Sequence, residues 1–200
     1  MNLFIFPAKF VYWKSVKNHK SIKNQYYPKI IDKLNKEKHT FLSQVENKWD
    51  CSCYSNFFEK NGTVIFDQHF IDHVIWSVFD EMLEDLSNSI LNFPIPKKSN
   101  IKKIWYNYYE KGMFQEVHNH TGFFCGTSHF SGVYLMDLNE NNTTIFTDIE
   151  PIQTYPNLNY FKTEHINEGN VIIFPSKLMH YVNPCLNNRL TVSFNIFSEY

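Results

Sequence analysis

The stretch "RLTVSFNIF", residues 189–197, alternates without a break. Arg189, Thr191, Ser193 and Asn195 fall on one face, and Leu190, Val192, Phe194 and Ile196 on the other. Successive side chains of a strand point to opposite sides of its sheet, so this is a strand with one polar and one apolar face. A half-exposed strand would turn the polar face to water. A strand near the mouth of a jelly roll would turn it into a cavity and pack the apolar face against helices. The second reading is favoured, because other polar strand faces in the chain point to the same interior.

Upstream of that stretch, strand-like pieces recur at 102–109, 113–120, 130–137, 143–148, 158–164, 170–175 and 178–182. Turn signals such as "EKG", "NENN" and "NEGN" separate several of them. Before them the period changes. Residues 67–91 place Ile71, Val74, Ile75, Val78, Phe79, Met82, Leu83 and Leu86 at helical spacing, with Asp67 placed to cap the start. "SIKNQYYPKIIDKLNKEK" predicts a helix interrupted near Pro28. "FIFPAKFVYW" suggests an edge strand, and "WDCSCYSNFF" another strand. The expected fold is mainly β with a helical N-terminal layer, a double-stranded β-helix (jelly roll, cupin-like). The expected organisation is one domain over 1–200, with 1–100 a helix-rich supporting region and 101–198 the strand core.

Composition agrees with a packed sheet protein: 18% of the 200 residues are aromatic. A formal net charge of −1 and the lack of a basic stripe give no signal for nucleic acid. The "CSC" pair Cys51 and Cys53, too tight for a zinc knuckle, and the lone Cys125 and Cys185 read as free thiols of a reducing compartment. No apolar run approaches the length of a membrane span. A cytoplasmic location is expected, that of the host cell if the chain is viral.

"EVHNHTG", residues 116–122, places His118 and His120 two apart, on one face of a strand. Glu116 joins them if the strand continues regularly. Imidazole suits Fe(II), Zn(II), Cu(II) and Ni(II). His180, in "FPSKLMHYVNP", is the natural third ligand. Arg189 follows nine residues later, and a guanidinium on an inward face calls for an anion, which its planar fork can hold bidentately. Thr191 shares that face. His69 and His73 read as packing or surface residues, and His19 as part of a solvated, Lys-rich segment.

The blocks "WYNYYEKGMFQEVHNH", "FSGVYLMDL", "EGNVIIFPSKLMHYVNP" and "RLTVSFNIF", in this order, resemble the 2-oxoglutarate/Fe(II)-dependent oxygenases. More narrowly, they resemble a branch of that superfamily with an HxH motif, found in bacteria and marine phages. The resemblance implies a dioxygenase that takes Fe(II), 2-oxoglutarate and dioxygen, and hydroxylates a substrate with formation of succinate and CO2. It places His118 and His180 as iron ligands, Arg189 as the clamp on the far carboxylate of 2-oxoglutarate, and Thr191 as its helper. Asn107 and Tyr134 fall on strands that border the cosubstrate. His120 stands where the superfamily usually has an acid. As the third ligand it would leave more positive charge on the metal; Glu116 and Asp137 are reserve carboxylates. Two alternatives stay open: a cupin-like three-histidine metalloenzyme that does not use 2-oxoglutarate, and a non-catalytic barrel with a relic metal site. The expected partner is a small-molecule or protein substrate, and a homodimer is left open.

Overall fold

In this computed structural model the described residues are 9–46, 52–59, 65–89, 93–121, 128–139, 144–147 and 160–200, the side chains of 38–46 excepted. The chain begins with β1 (Tyr12–Ser15), α1 (His19–Glu46) and β2 (Tyr54–Ser55). A short α2 (Gln68–Phe70) then runs through a π-helical turn, Ile71–Trp76, into α3 (Ser77–Ser89). The strands β3 (Lys98–Tyr109), β4 (Gln115–His118), β5 (Phe130–Leu138), β6 (Thr144–Thr147), β7 (Tyr160–Lys162), β8 (Asn170–Pro175), β9 (Met179–Val182) and β10 (Arg189–Glu199) follow. Each strand expected after residue 100 is therefore present. They form two antiparallel sheets. The larger has the order β1-β8-β5-β10-β3-β2 and the smaller β4-β9-β6-β7. This is the expected double-stranded β-helix, and β1 and β2 lend it both edges of the larger sheet.

The helical layer follows from the apolar face of β10. Leu190, Val192, Phe194 and Ile196 are fully buried, together with Tyr106, Tyr134 and Met136 of the neighbouring strands. They pack against Phe70, Val74, Val78, Phe79 and Met82 of the α2–α3 helix and against Ile22, Tyr26 and Ile30 of α1. The opposite faces of β5 and β8 bury Val133, Leu135, Ile172 and Phe174 against Phe146 of the smaller sheet. Alternation thus divides each central strand between two cores.

Helix α1 departs from expectation, since Pro28 lies inside one continuous helix. Ile22, Tyr26, Ile30 and Leu34, spaced by four, are all buried, while Pro28 is on the solvent side. The carbonyl left without its helical partner there can turn to water, and the apolar stripe holds the helix together. Asp67 caps the second helix as expected, its carboxylate accepting from Phe70 N at 3.1 Å and from the Tyr26 hydroxyl. The π turn was not legible as helical periodicity. Cys53 and Cys185 are buried free thiols; Cys51 and Cys125 lie outside the described residues.

His19 is not solvated. Its Nδ1 lies 2.6 Å from the Tyr134 hydroxyl and its Nε2 3.0 Å from Glu168. Lys23 bonds both Asp137 and Glu168, and Glu168 also accepts from Leu138 N at 2.7 Å. Burial raises the Glu168 carboxyl, but Lys23, the Leu138 N–H and His19 outweigh it and hold the group below its ordinary range. This knot therefore ties α1 to the sheet at neutral pH and loosens as pH falls through the carboxylate range.

Gly132 faces Phe194 across the β5–β10 pair, and a Cβ there would lie 2.1 Å from the ring. The ring belongs to the core beneath the helices and cannot withdraw without repacking it. Gly132→Ala is expected to destabilise the protein by about 1–3 kcal/mol, the usual cost of overpacking, read by denaturant unfolding. An unchanged midpoint would show that Phe194 has room to move.

Candidate metal centre

The polar face of β10 turns inward. Arg189, Thr191 and Ser193 line a cavity between the sheets, and they are nearly inaccessible to solvent. The cavity reading of "RLTVSFNIF" therefore describes the molecule. From β3, Trp105, Asn107 and Tyr109 line the same space, and from the smaller sheet His118, His180 and Thr144.

Strands β4 and β9 place His118 directly opposite His180, a cross-strand pair on one face. Their ring centroids are 4.2 Å apart. His120 lies two residues beyond the end of β4, where its backbone N–H donates to Ser176 O at 2.9 Å. Its ring centroid is 4.9 Å from that of His180 and 5.5 Å from that of His118. One nitrogen from each of the three rings falls within 4.8 Å of the others.

The second ring nitrogens identify the tautomers. His118 Nδ1 lies 2.7 Å from Glu116 O, His180 Nδ1 3.3 Å from Leu178 O, and His120 Nδ1 2.9 Å from Asn195 Oδ1. The two main-chain oxygens can only accept, so Nδ1 carries the proton in His118 and His180. Burial lowers the pKa of all three rings, that of His120 to about 3, with the neighbouring imidazoles adding to the shift in His120 and His180. Three neutral imidazoles, each with one nitrogen within 4.8 Å of the others, are a donor set that fits a divalent transition metal, which requires deprotonated nitrogens.

The reserve carboxylates do not join the group. The β4–β9 register shifts between Gln115 and His118, so Gln115 rather than Glu116 lines the cavity. Asp137 pairs with Lys23 on α1 instead.

The Arg189 Nη2 donates to Thr144 Oγ1 at 2.6 Å, and its guanidinium carbon lies 5.4 Å from the centre of the Tyr109 ring. Burial lowers its pKa, yet arginine starts high enough to keep its charge. Thr144 pairs with Val182 across β6–β9, two residues from the Phe146–His180 pair. That offset is about 7 Å along a strand, the length scale of a five-carbon dicarboxylate. Asn107 pairs with Thr191 in the sheet; with its amide turned to satisfy both ends, it donates to Ser55 Oγ at 2.7 Å and accepts from Trp105 Nε1 and Ser193 Oγ.

Tyr134 is not at the site. It points into the core beneath the helices, bonded to His19, while its neighbour Val133 lines the cavity. The strand was read well, but the face was taken one residue out of phase. Tyr109 and Thr144 were missed. Tyr109 was findable, because it shares a face with Asn107 and Trp105. His69 and His73 stack on each other on an exposed helix face, as expected of surface residues.

Residues 103–195 match the family model described as "Putative 2OG-Fe(II) oxygenase". The chain resembles these oxygenases in sequence and in fold. No curated protein matches it in sequence. Among solved structures, a prolyl-4-hydroxylase from Pseudomonas putida is similar with TM-score 0.56 and 10% identity over 95% of this chain and 93% of that one. AviO1 from Streptomyces viridochromogenes gives TM-score 0.56 and 8% identity over 95% and 90%. A prolyl hydroxylase from Trichoplax adhaerens, in complex with a hypoxia inducible factor peptide fragment, gives 0.55 and 13% over 94% and 83%. At such identities the likeness is one of fold. Fe(II) with 2-oxoglutarate is the metal and cosubstrate pair of the matched family, and the three-histidine group agrees with it. No helix among the described residues is long and apolar enough to cross a membrane.

Neutral buried imidazoles make stability depend on pH. Unfolded histidines take up protons as pH drops below about 6.5, whereas the native rings resist until much lower. The metal-free protein should therefore lose stability between pH 7 and 5, by up to about 1.4 kcal/mol per pH unit for each ring. His120→Gln should flatten that slope by one ring's share in denaturant titrations. Equal slopes would mean that His120 is not held neutral.

Proposed function

We propose that the chain is an Fe(II)- and 2-oxoglutarate-dependent dioxygenase that hydroxylates a small-molecule or protein substrate. The observation that carries the reading is the single cavity shared by three clustered imidazoles and a buried guanidinium. In this reading residues 1–100 support, and 101–198 carry, one catalytic domain.

His118, His120 and His180 would hold the iron through their Nε2 atoms. Arg189 would receive the far carboxylate of 2-oxoglutarate in its fork, with Thr191 adding a hydroxyl. Asn107 borders the cosubstrate on the β3 wall. Bound together, iron and 2-oxoglutarate supply the oxidising chemistry, in which dioxygen is consumed, 2-oxoglutarate becomes succinate and CO2, and a substrate C–H becomes C–OH. The chain's own work is positioning. The guanidinium fixes the cosubstrate's direction, and the Trp105 and Phe57 rings wall the cavity. Thr144 and the Tyr109 ring face, in turn, hold the guanidinium.

Anaerobic reconstitution with Fe(II), followed by succinate measurement over a substrate library, tests the proposal. His118→Ala and His180→Ala should each reduce iron-dependent succinate formation to background. His120→Asp should retain turnover, since a carboxylate is the usual occupant of that position in the resembled family. Full turnover in either alanine variant would overturn the ligand set.

Arg189→Ala should weaken 2-oxoglutarate binding by about 10- to 100-fold, the worth of a charge-assisted hydrogen-bonded pair, with little loss of metal. Unchanged 2-oxoglutarate affinity, with metal still bound, would favour a three-histidine metalloenzyme of another reaction class.

A further inference from the structure

His118 and His180 each direct Nδ1 at a main-chain carbonyl two residues earlier in the sequence. His120 is held differently. Its Nδ1 faces the side chain of Asn195, whose Oδ1 lies 2.9 Å away. A main-chain carbonyl can only accept, but an amide side chain can present either oxygen or NH2. An NH2 turned to Nδ1 would favour the other tautomer, with the proton on Nε2 and no lone pair for a metal.

Asn195 turns its oxygen to the ring. Its Oδ1 also accepts from Ser131 Oγ at 2.8 Å, and Ser131 Oγ lies 2.8 Å from Ser176 Oγ. Asn195, Ser131 and Ser176 are almost completely shielded from solvent. The Asn195 Nδ2 has no hydrogen-bond partner among the described residues. A buried amide that gives its oxygen two donors and its NH2 none calls for an explanation. The same small group holds the His120 backbone, with Ser176 O accepting its N–H at 2.9 Å and Ser128 Oγ donating to its carbonyl at 3.0 Å.

We propose that Asn195 is the positioning residue of the metal centre: its amide oxygen, oriented by the Ser131–Ser176 hydroxyl pair, fixes His120 as the Nδ1–H tautomer and presents Nε2 to the metal. This rests on the reading of the three histidines as a metal site. Partners behind a ligating imidazole set its direction and tautomer, and their loss typically costs 10- to 100-fold in metal affinity. A neutral amide does this without adding a charge to the interior.

The test uses the full-length protein, with Co(II) as the probe read by visible absorption. Long-range nitrogen–proton NMR reports the tautomer in the metal-free state. The wild type should show His120 protonated at Nδ1. Asn195→Leu, close in volume, should bind Co(II) about 10- to 100-fold more weakly and show mixed tautomers. Asn195→Asp should restore the Nδ1–H form and bind within a few-fold of the wild type. Ser131→Ala, which keeps the asparagine but removes a donor to its oxygen, should give mixed tautomers, and it carries the test if Asn195→Leu fails to fold. Wild-type affinity in folded Asn195→Leu, or a wild-type His120 protonated at Nε2, overturns the assignment while leaving the metal site standing. A wild-type chain that takes up no Co(II) at all removes the metal reading, and the assignment with it.

Discussion

Strand β10 carries opposite chemistries on its two faces, and the rest of the molecule answers to that. Residues 189–196 of this strand, central in a six-stranded sheet, are all buried, so neither face meets bulk water. Its apolar side therefore needs a second layer, which α1 and the α2–α3 helix supply. Its polar side needs an interior with partners for a guanidinium, two hydroxyls and an amide, which the smaller sheet encloses. The helices are thus a condition for the site: without them Leu190, Val192, Phe194 and Ile196 would be exposed and the strand would have no reason to keep its polar residues inward. Gly132 shows how closely the two layers are fitted, since the Phe194 ring occupies the space where a side chain would begin.

Inside that interior the histidines are arranged by what stands behind them. Each Nδ1 has a partner, and one nitrogen of each ring lies within 4.8 Å of the others. Crowding three imidazoles would be costly if more than one were protonated, because like charges repel most strongly away from water. Burial removes that difficulty by keeping them neutral, and neutral imidazoles are also what a metal requires of its ligands.

Much of this was legible in the sequence because strand alternation is a strict code. "RLTVSFNIF" gave both faces of β10, and the i, i+2 spacing of His118 and His120 put them on one side. The failures occur where that code was broken or misphased. Tyr134 was placed one residue out of phase on a correctly located strand. Glu116 was expected beside His118, but the register shift in β4 moves Gln115 into the cavity in its place. His19 looked solvated among lysines, and only the fold brings Tyr134 and Glu168 to it, more than a hundred residues away in sequence. Pro28 suggested a break because local chemistry opposes a helix there, while the tertiary packing of Tyr26 and Ile30 is invisible to a local reading. Thr144 could not be found from spacing, since nothing in "NTTIF" announces a guanidinium.

A third histidine in place of a carboxylate changes the electrostatics of the whole cavity. Three neutral imidazoles and one guanidinium leave the empty protein site with a single positive charge, and a divalent metal would raise it to three. A set with one carboxylate would hold a unit less. In a cavity of low dielectric that excess is unfavourable until anions arrive, and a dicarboxylate spanning the metal and Arg189 brings two. Metal and dianion then favour each other's binding by the same factor, as linkage requires. Arg189 contributes to that coupling from the far end of the cavity, where Thr144 and the Tyr109 ring hold it in place without neutralising it. If the three histidines hold the iron as proposed, the centre is better suited to take up metal and anionic cosubstrate as a pair than to hold the metal alone.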